Sequence, residues 1–418
     1  MEVALSARST QARMRVPAAA LFAGWTLAVA AVIALRSPGV PFWETIWAED
    51  GTVFVQDALD HSPLTAVLTP YAGYLHVPAR LLGELTILFP AAWWPAVLAA
   101  LSITVAAATG AYVYVASGDL LTTRWARIVA AALPWLAATG EEVPANIANL
   151  HWYGLYAAFW ALMARPRTRR GLLAAATVVT LTALSDPMIA LGLPLALLQV
   201  RALGRRALVV LLPLLAALAA QAFVTLTGHG PESVTTFHLD EAVGIYGQRV
   251  AGAAFFGDQK FLVLWDLAGW AAIWGALAVA AAAVAVAARH HAWLALSAAA
   301  GSVALLAVPL VLRGTVEIAP DAGSLGASRY MLVPVTLLLV AFLAGLDRAG
   351  SRRARQAFTL LLVVAAVSGL GAATSRGEGP SWGPTLKRAC AKDAANASVL
   401  IAPAGLEEWH LRLDCRRG

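Results

Sequence analysis

The sequence predicts an all-α protein, a polytopic bundle of transmembrane helices, and three observations support this fold class. First, 60% of the 418 residues are hydrophobic and only 13% are charged, whereas soluble domains carry about 25% charged residues. Second, long apolar runs reach or approach the roughly 20 residues that cross a bilayer as a helix. These runs are 16–35, 91–116, 207–227, 262–288 and 357–374. Third, the basic residues stand in short clusters between the runs, which indicates membrane topology rather than nucleic-acid binding.

The basic clusters also predict the side of the membrane on which each connecting segment lies, because short inside loops are enriched in Lys and Arg. With the amino terminus inside, more than half of the 30 basic residues fall in inside segments. These segments are 1–15, 118–124, 165–170, 201–206, 289–291 and 347–356. The outside segments are 36–90, 140–150, 185–187, 228–261, 313–329 and the tail from 375. We therefore expect about eleven spans and an outside carboxyl terminus.

The first elements in chain order are an anchor and a long outside loop. The apolar run at 16–35 exceeds the core of a signal peptide, about 7–15 residues, so we expect it to be retained. The loop after it is predicted to hold two short helices, over 49–60 and 77–89. The second is amphipathic, with Arg80 and Glu84 on its polar face, and is expected at the membrane interface.

Four later elements are shorter than a full crossing of about 20 residues. They are 125–139, 151–164, 171–184 and 188–200. We expect tilted helices around a cavity in this region.

The last element is a polar tail that carries the two cysteines of the chain, Cys390 and Cys415. A cysteine pair confined to one tail fits a disulfide in an oxidising compartment, so the tail is expected outside. The sequence thus predicts two parts, a transmembrane module over 1–374 and a small extracytoplasmic tail over 375–418.

The adjacent carboxylates Glu49 and Asp50, shortly after the first span, are the sharpest local feature. Such a pair suits a general base or a cation site. The competing interpretation is a solvated helix N-terminus, where the helix dipole favours acids.

A second feature of the first loop is an aromatic and basic segment that contains Tyr71, Tyr74, His76 and Arg80. These side chains can stack on a sugar ring and bind a phosphate. Alternatively, they anchor the loop among lipid headgroups.

The segment with Asn146, Asn149, His151 and Trp152 runs directly into an apolar stretch. Unpaired polar groups are costly in hydrocarbon, so these side chains either pair with one another or line a watery cavity.

Two polar positions stand close to later apolar runs. Asp186, in a Ser-Asp-Pro turn, is either a functional carboxylate in the membrane or a helix cap. Arg329 and Tyr330 precede the span 331–346. An Arg beside an aromatic ring suits a phosphate group, and the alternative is an Arg that extends to the headgroups.

Taken together, the Glu-Asp-Gly loop, the Gly-Tyr-Leu-His segment, the Asn-x-x-Asn-x-His-Trp segment, the Asp-Pro turn, the Arg-Tyr pair and the two-cysteine tail resemble the GT-C superfamily of polytopic glycosyltransferases. The resemblance covers nearly the whole chain in short motifs. It implies a multi-pass enzyme of the bacterial plasma membrane that transfers a hexose or pentose, with inversion, from a polyprenyl-phosphate donor. The acceptor would be a glycan, lipid or protein of the cell envelope. The resemblance implies no definite cofactor and leaves open a divalent cation, for which the sequence identifies no ligands.

The resemblance also implies roles for the motif residues. Asp50 is the first choice for the carboxylate that deprotonates the acceptor, and Glu49 is the second. Arg329 and Arg80 would hold the donor phosphate. The remaining residues would bind the sugar or acceptor by stacking and hydrogen bonding, and they are Tyr71, Tyr74, His76, Asn146, Asn149, His151, Trp152, Asp186 and Tyr330.

Two other classes of function remain open from the sequence. In a transporter or flippase of a lipid-linked envelope precursor, the same polar residues would line a path through the membrane. The third class is a non-catalytic scaffold or a polymerase of lipid-linked glycans. The position of the polar residues on outer loops favours the enzyme.

Overall fold

Helices make up most of the chain, in agreement with the predicted fold class. The computed structural model describes residues 17–227, 237–314, 327–373, 375–403 and 409–416. It is 77% helical and nearly all-α. The predicted inside segment 1–15 and parts of three predicted outside segments lie outside the described residues; these parts are 228–236, 315–326 and, in the tail, 404–408 and 417–418.

The α-helices that the structure describes differ widely in length. They are α1 (Ala18–Arg36), α2 (Gln56–Asp60), α3 (Pro63–Leu68), α4 (Val77–Thr86), α5 (Trp94–Ala116), α6 (Arg124–Leu136), α7 (Leu150–Met163), α8 (Arg169–Ala183), α9 (Leu193–Leu203), α10 (Leu208–Thr227), α11 (Leu239–Ile245), α12 (Ala253–Phe256), α13 (Asp258–Ala268), α14 (Trp270–Arg313), α15 (Leu332–Asp347), α16 (Arg352–Leu370) and α17 (Trp382–Lys392). Two π-helices, Asp50–Val55 and Tyr246–Gly252, lead into α2 and α12.

Six helical stretches of the described chain are long and apolar enough to cross a membrane. They are Ala18–Arg36, Ala91–Asp119, Pro187–Thr227, Trp270–Leu312, Ser328–Asp347 and Arg352–Leu370. The third and fourth are 41 and 43 residues long, about twice the length of one crossing. The third contains a 3-10 turn at Gly204–Ala207 and the fourth a kink at His291. The apolar helices indicate a membrane protein, while the predicted count of about eleven spans and the predicted sides stay predictions.

The centre of the bundle is formed by α7 and α15. Every residue of α7 except Gly154 is buried, and every residue of α15 except Asp347. A helix that is apolar around its whole circumference must be covered on all sides, and α5, α6, α8, α14 and α16 supply this cover. Because α7 begins at Leu150 and α15 at Leu332, the segments before these residues are fixed by two deeply packed helices.

The first loop is helical, as predicted, but its details differ from the prediction. The turn that begins at Asp50 is a π-helix, and only Gln56–Asp60 is α-helical. The predicted amphipathic helix corresponds to α4, although Arg80 is not at an interface, since it is 2% exposed. Its guanidinium lies 2.7 Å from the carboxylate of Asp57, so the polar face of α4 is directed into the protein.

The tail packs against the first loop. Its strands β1 (Ala397–Leu400) and β2 (His410–Leu413) pair antiparallel, and a bond between Cys390 and Cys415 joins α17 to the residues after β2. The N–H of Ala402 donates to the carbonyl of Ile46, and the N–H of Ala48 donates to the carbonyl of Ala402. These hydrogen bonds hold the chain just before Glu49 and Asp50.

Gly51 allows the tail to approach the acidic pair closely. A Cβ atom on this residue would lie 2.5 Å from the side chain of Ile401 and 3.1 Å from that of Ile46. This is closer than nonbonded carbon atoms pack, about 3.5–4.0 Å. The third residue of the Glu-Asp-Gly sequence is therefore explained by packing rather than by chemistry.

Candidate functional site

A polar cavity of about 590 Å³ lies where α7 and the segment before α15 begin. We call it the polar cavity. All of the predicted site residues line it except Asp50, Arg80 and Asn146. The predicted residues in its wall are Glu49, Tyr71, Tyr74, His76, Asn149, His151, Trp152, Asp186, Arg329 and Tyr330. Side chains from five separate segments of the chain thus converge on one volume.

One side of the polar cavity carries opposite charges, and we call it the charged wall. Glu49 and Arg329 both line the cavity. The guanidinium of Arg329 forms an ion pair with the carboxylate of Glu142, which also accepts the backbone N–H of Ser328 at 3.2 Å. With a third of its side chain exposed, Arg329 keeps donor groups for an anionic ligand.

Asp50 lies behind the charged wall and does not line the cavity. The sequence makes Asp50 the first choice and Glu49 the second for the carboxylate that deprotonates the acceptor, and the structure favours the reverse. It is fully buried, and its oxygens accept the backbone N–H groups of Ile147 and Ala148 at 2.9–3.1 Å. Burial raises the pKa of Asp50 to about 7, although the positive charge of Arg376 and these hydrogen bonds oppose the rise. Asp50 therefore joins the first loop to the second, while Glu49, its neighbour, faces the cavity.

Arg376 brings the tail into the same arrangement. This buried side chain donates to the carbonyl oxygens of Phe42 and Thr45 at 3.3 and 3.1 Å. Burial lowers its pKa to about 10, and the carboxylate of Asp50 counteracts this. The charge of Arg376 thus compensates that of Asp50 across the interface between tail and first loop.

Asn146 also lies outside the cavity wall, where it shapes the second loop. Its Oδ1 atom accepts the N–H of Asn149 at 2.9 Å, and its side-chain amide donates to the carbonyl of Glu142. The side-chain amide of Asn149 donates to the same carbonyl at 3.1 Å, and its Oδ1 accepts the indole N–H of Trp152 at 3.2 Å. The amides pair within the loop, as expected for polar groups near hydrocarbon.

Arg80 does not fit its expected role in phosphate binding. It is paired with Asp57, and its guanidinium lies 5.5 Å from the ring centre of Phe54, which separates it from the cavity. Arg80 is the buried partner of this ion pair, and moving it to a ligand would break the pair with Asp57.

Another part of the lining carries two histidines and a carboxyl group, and we call it the imidazole wall. The Nε2 atom of His151 lies 3.7 Å from the carboxyl of Asp186. The other oxygen of Asp186 accepts the N–H of Met188 at 2.8 Å and so caps the turn that follows. The ring of His76 stands 5.8 Å from that of His151. Burial, His151 and Arg80 all lower the pKa of His76, while burial raises the pKa of Asp186 to about 7.

Aromatic rings flank both walls. The ring of Tyr74 lies 4.4 Å from that of His76, and Tyr71 lies 5.6 Å from it. Across the cavity, Trp152 meets Tyr330 edge to face at 5.4 Å. Such rings offer stacking surfaces for the apolar face of a sugar.

Strained backbone residues surround the polar cavity. In the described chain, the only residues other than glycine with positive φ angles are Ala72, Ala145 and Ala327. The first lines the cavity, the second precedes Asn146, and the third precedes Ser328 and Arg329. Left-handed backbone is unfavourable for alanine and tends to occur at functional sites, so its confinement to these three turns supports a functional cavity.

An apolar cavity of about 330 Å³ adjoins the polar one, and Met188 lines both. We call it the apolar cavity. Its walls come from α7, the segment 188–198 and the second half of α14, and they are almost entirely hydrocarbon, with Phe159, Leu195, Trp293 and Leu305 among them. An apolar chain attached to a group in the polar cavity would find a matching surface there.

Sequence reasoning missed Glu142 and Arg376. The signal for Glu142 was present, because Glu141 and Glu142 form a second adjacent acidic pair, four residues before Asn146 in the second loop. Burial raises the pKa of Glu141 to about 7, and the nearby Asp258 adds to the rise. Arg376 carries no comparable signal, because its role depends on contacts with a loop far away in the sequence.

The expected divalent cation has no evident ligand set. Across the described residues, no three His, Cys, Asp or Glu side chains come together as candidate metal ligands. The cation therefore stays a prediction from the resemblance alone.

Comparisons of the chain with protein-family models, with curated proteins and with solved structures give no match. The resemblance to the GT-C superfamily consequently rests on the short motifs of this sequence alone.

Proposed function

We propose that the chain is an inverting membrane glycosyltransferase that moves a sugar from a polyprenyl-phosphate donor to a glycan, lipid or protein acceptor. The observation that carries this proposal is that two cavities, one charged and aromatic and the other apolar, share Met188 in their walls. A lipid-linked sugar has the same division into a polar head and a hydrocarbon tail. The tail would lie in the apolar cavity and the phosphate and sugar in the polar one.

Arg329 is the residue assigned to the donor phosphate. It lines the cavity and is partly exposed, and its pairing with Glu142 orients it without covering it. Guanidinium groups bind phosphate through two parallel hydrogen bonds. As the phosphate leaves with the electron pair of the broken bond, its growing negative charge would be stabilised by this cation.

Glu49 is the residue assigned to the acceptor. Its carboxylate takes the proton of the acceptor hydroxyl while the hydroxyl oxygen forms a bond to the anomeric carbon and the bond from that carbon to the phosphate oxygen breaks. Glu49 has this role rather than Asp50 because only Glu49 lines the cavity. Asp50 is a positioning residue, since its hydrogen bonds to Ile147 and Ala148 hold the first loop against the second.

The site belongs, in this proposal, to the outer face of a bacterial plasma membrane. Two findings support that side. Disulfides persist in oxidising compartments, and Cys390 and Cys415 are bonded in the tail that packs against the first loop. The basic clusters, which are enriched in inside loops, are remote in sequence from the segments of the site.

The decisive experiment is glycosyl transfer by the purified protein in liposomes. Glu49→Gln should lower transfer by about a hundredfold or more, as expected for loss of a general base, without weakening the binding of polyprenyl phosphate. The matched control is Glu44→Gln, since Glu44 is exposed in the same loop and its side chain accepts a hydrogen bond from Ser381 of the tail. The transporter would be favoured if the protein moves lipid-linked sugar across the bilayer but transfers no sugar to an acceptor, and if Glu49→Gln leaves this movement unchanged.

A further inference from the structure

The imidazole wall presents hydrogen-bond acceptors to the polar cavity. His76 is 3% exposed. One of its ring nitrogens donates to the carbonyl of Tyr71, and the other, Nε2, has no hydrogen-bond partner among the residues that the structure describes. In a neutral ring one nitrogen donates and the other accepts. The bond to Tyr71 therefore leaves Nε2 of His76 as a buried, unpaired lone pair in a side chain that lines the cavity.

His151 is oriented in the same way. Its Nδ1 atom lies 2.9 Å from the carbonyl oxygen of Ala148, to which it donates. This bond leaves the lone pair on Nε2, and that atom lies 3.7 Å from the Oδ2 atom of Asp186. Because a hydroxyl has one proton to donate, one sugar hydroxyl can donate to Nε2 of His151 and a second to the carboxyl group of Asp186, each at about 2.8 Å.

The two arginines nearest these histidines are already paired with carboxylates. Arg329 is paired with Glu142, and Arg80 is paired with Asp57 behind the cavity. A ligand group at the imidazole wall therefore meets two ring lone pairs and a carboxyl group. An acceptor left unpaired when a ligand excludes water is costly, so this wall selects groups that donate hydrogen bonds.

We propose that His76, His151 and Asp186 form a hydroxyl-binding subsite that selects a neutral sugar over an acidic one. This inference rests on the proposed function, because it assigns the sugar of the donor to this wall while its phosphate binds Arg329. Sugar hydroxyls supply the donors that the wall needs. The carboxylate of a uronic acid offers only acceptors and would face the carboxyl group of Asp186.

The test is a binding measurement, which does not require turnover. The probes are radiolabelled polyprenyl monophosphate and its esters with glucose, galactose, mannose, arabinose and glucuronic acid, with the protein in nanodiscs. At least one neutral ester should bind about tenfold more tightly than polyprenyl monophosphate alone, and the glucuronic acid ester should have no such advantage. If no neutral ester exceeds the bare lipid phosphate, or if the glucuronic acid ester binds as tightly as the best neutral one, the subsite does not exist.

The informative variant is His76→Asn. The asparagine amide can occupy the position of Nδ1 and donate to Tyr71, but it has no atom at the position of Nε2. The advantage of the neutral ester should fall about five- to tenfold, the range expected for one lost hydrogen bond, with unchanged binding of polyprenyl monophosphate. Equal weakening of both ligands would show that His76 only supports the fold, which contradicts the proposal.

His61→Asn is the matched control, because His61 lies in the same loop, is exposed and interacts with Asp57. It should leave both affinities unchanged. The outcomes also test the proposed subsite independently of the proposed glycosyltransferase activity. A neutral-sugar preference that depends on His76, in a protein that transfers no sugar, would refute the glycosyltransferase and retain the subsite.

Discussion

Replacement of Asp50 by Asn distinguishes the role of this carboxylate from that of Glu49, its neighbour in the first loop. The folded protein raises the pKa of Asp50 from 3.8 to about 7 by burial. A shift of about three pKa units corresponds to about 4 kcal/mol, at roughly 1.4 kcal/mol per unit. Because the folded pKa is the higher one, the folded state holds the proton more strongly. The contribution of Asp50 to stability is therefore complete below pH 3.8 and is lost as the pH rises to about 7.

Asp50→Asn removes this titration while keeping one oxygen to accept the N–H groups of Ile147 and Ala148. Relative to the native protein, the variant should gain up to about 4 kcal/mol of unfolding free energy between pH 4 and pH 8. The other buried acids whose pKa values are raised, Glu141, Asp186 and Asp258, are present in both proteins, so their contributions cancel. Asp50→Ala, which leaves two buried N–H groups unpaired, should cost about 1–3 kcal/mol for each.

The measurement is denaturant-induced unfolding of the protein in detergent micelles at a series of pH values, followed by glycosyl transfer of the same preparations. Asp50→Asn should retain transfer within about tenfold, since a general base contributes at least a hundredfold and Asp50 is not that base. A difference in stability that does not change with pH would mean that Asp50 is solvated. Loss of transfer by a thousandfold in a folded Asp50→Asn protein would return the role of base to Asp50.

Two further predictions concern the phosphate and the tail. Arg329→Ala should weaken binding of polyprenyl phosphate by about ten- to a hundredfold, the value of a charge-assisted hydrogen bond. The control is Arg205→Ala, since Arg205 is exposed. If both variants weaken binding equally, Arg329 does not bind the phosphate. Double replacement of Cys390 and Cys415 by Ser opens a loop with a sequence separation of 25 and should cost about 3 kcal/mol in thermal unfolding. The rate of glycosyl transfer should fall while the affinity for polyprenyl phosphate stays unchanged. Loss of this affinity would instead place the tail at the donor site.

The sequence predicts the helical fold and most members of the site because both depend on local patterns. Runs of apolar residues predict helices whatever their neighbours are. Polar residues within such runs must be paired or line a cavity, so His151, Asp186 and Arg329 could be selected before their positions were known. The adjacent pair Glu141–Glu142 carried a similar signal and was overlooked.

The distinction between Glu49 and Asp50 could not be predicted, because it depends on the direction in which each side chain points. The π-helix that starts at Asp50 turns that residue towards Ile147, Ala148 and Arg376, which come from the second loop and the tail. The burial of Arg80 has the same kind of origin, since its partner Asp57 reaches it through the packing of α4 on the π-helix. Contacts between distant segments leave no local pattern in the sequence.

The arrangement of charges explains why two acids stand side by side in the first loop. A lone carboxylate at a cavity needs a backbone that holds it at a fixed place, and loops at a membrane surface are otherwise mobile. Asp50 supplies this anchor through the second loop, and the tail supplies another at Ala48. Glu49 lies between these two anchors and is held at the cavity, so its own carboxylate is not needed to fix the loop. If this division is correct, Asp50→Ala combined with the two serine replacements in the tail should lower transfer more than the product of the separate effects, because each anchor compensates for loss of the other.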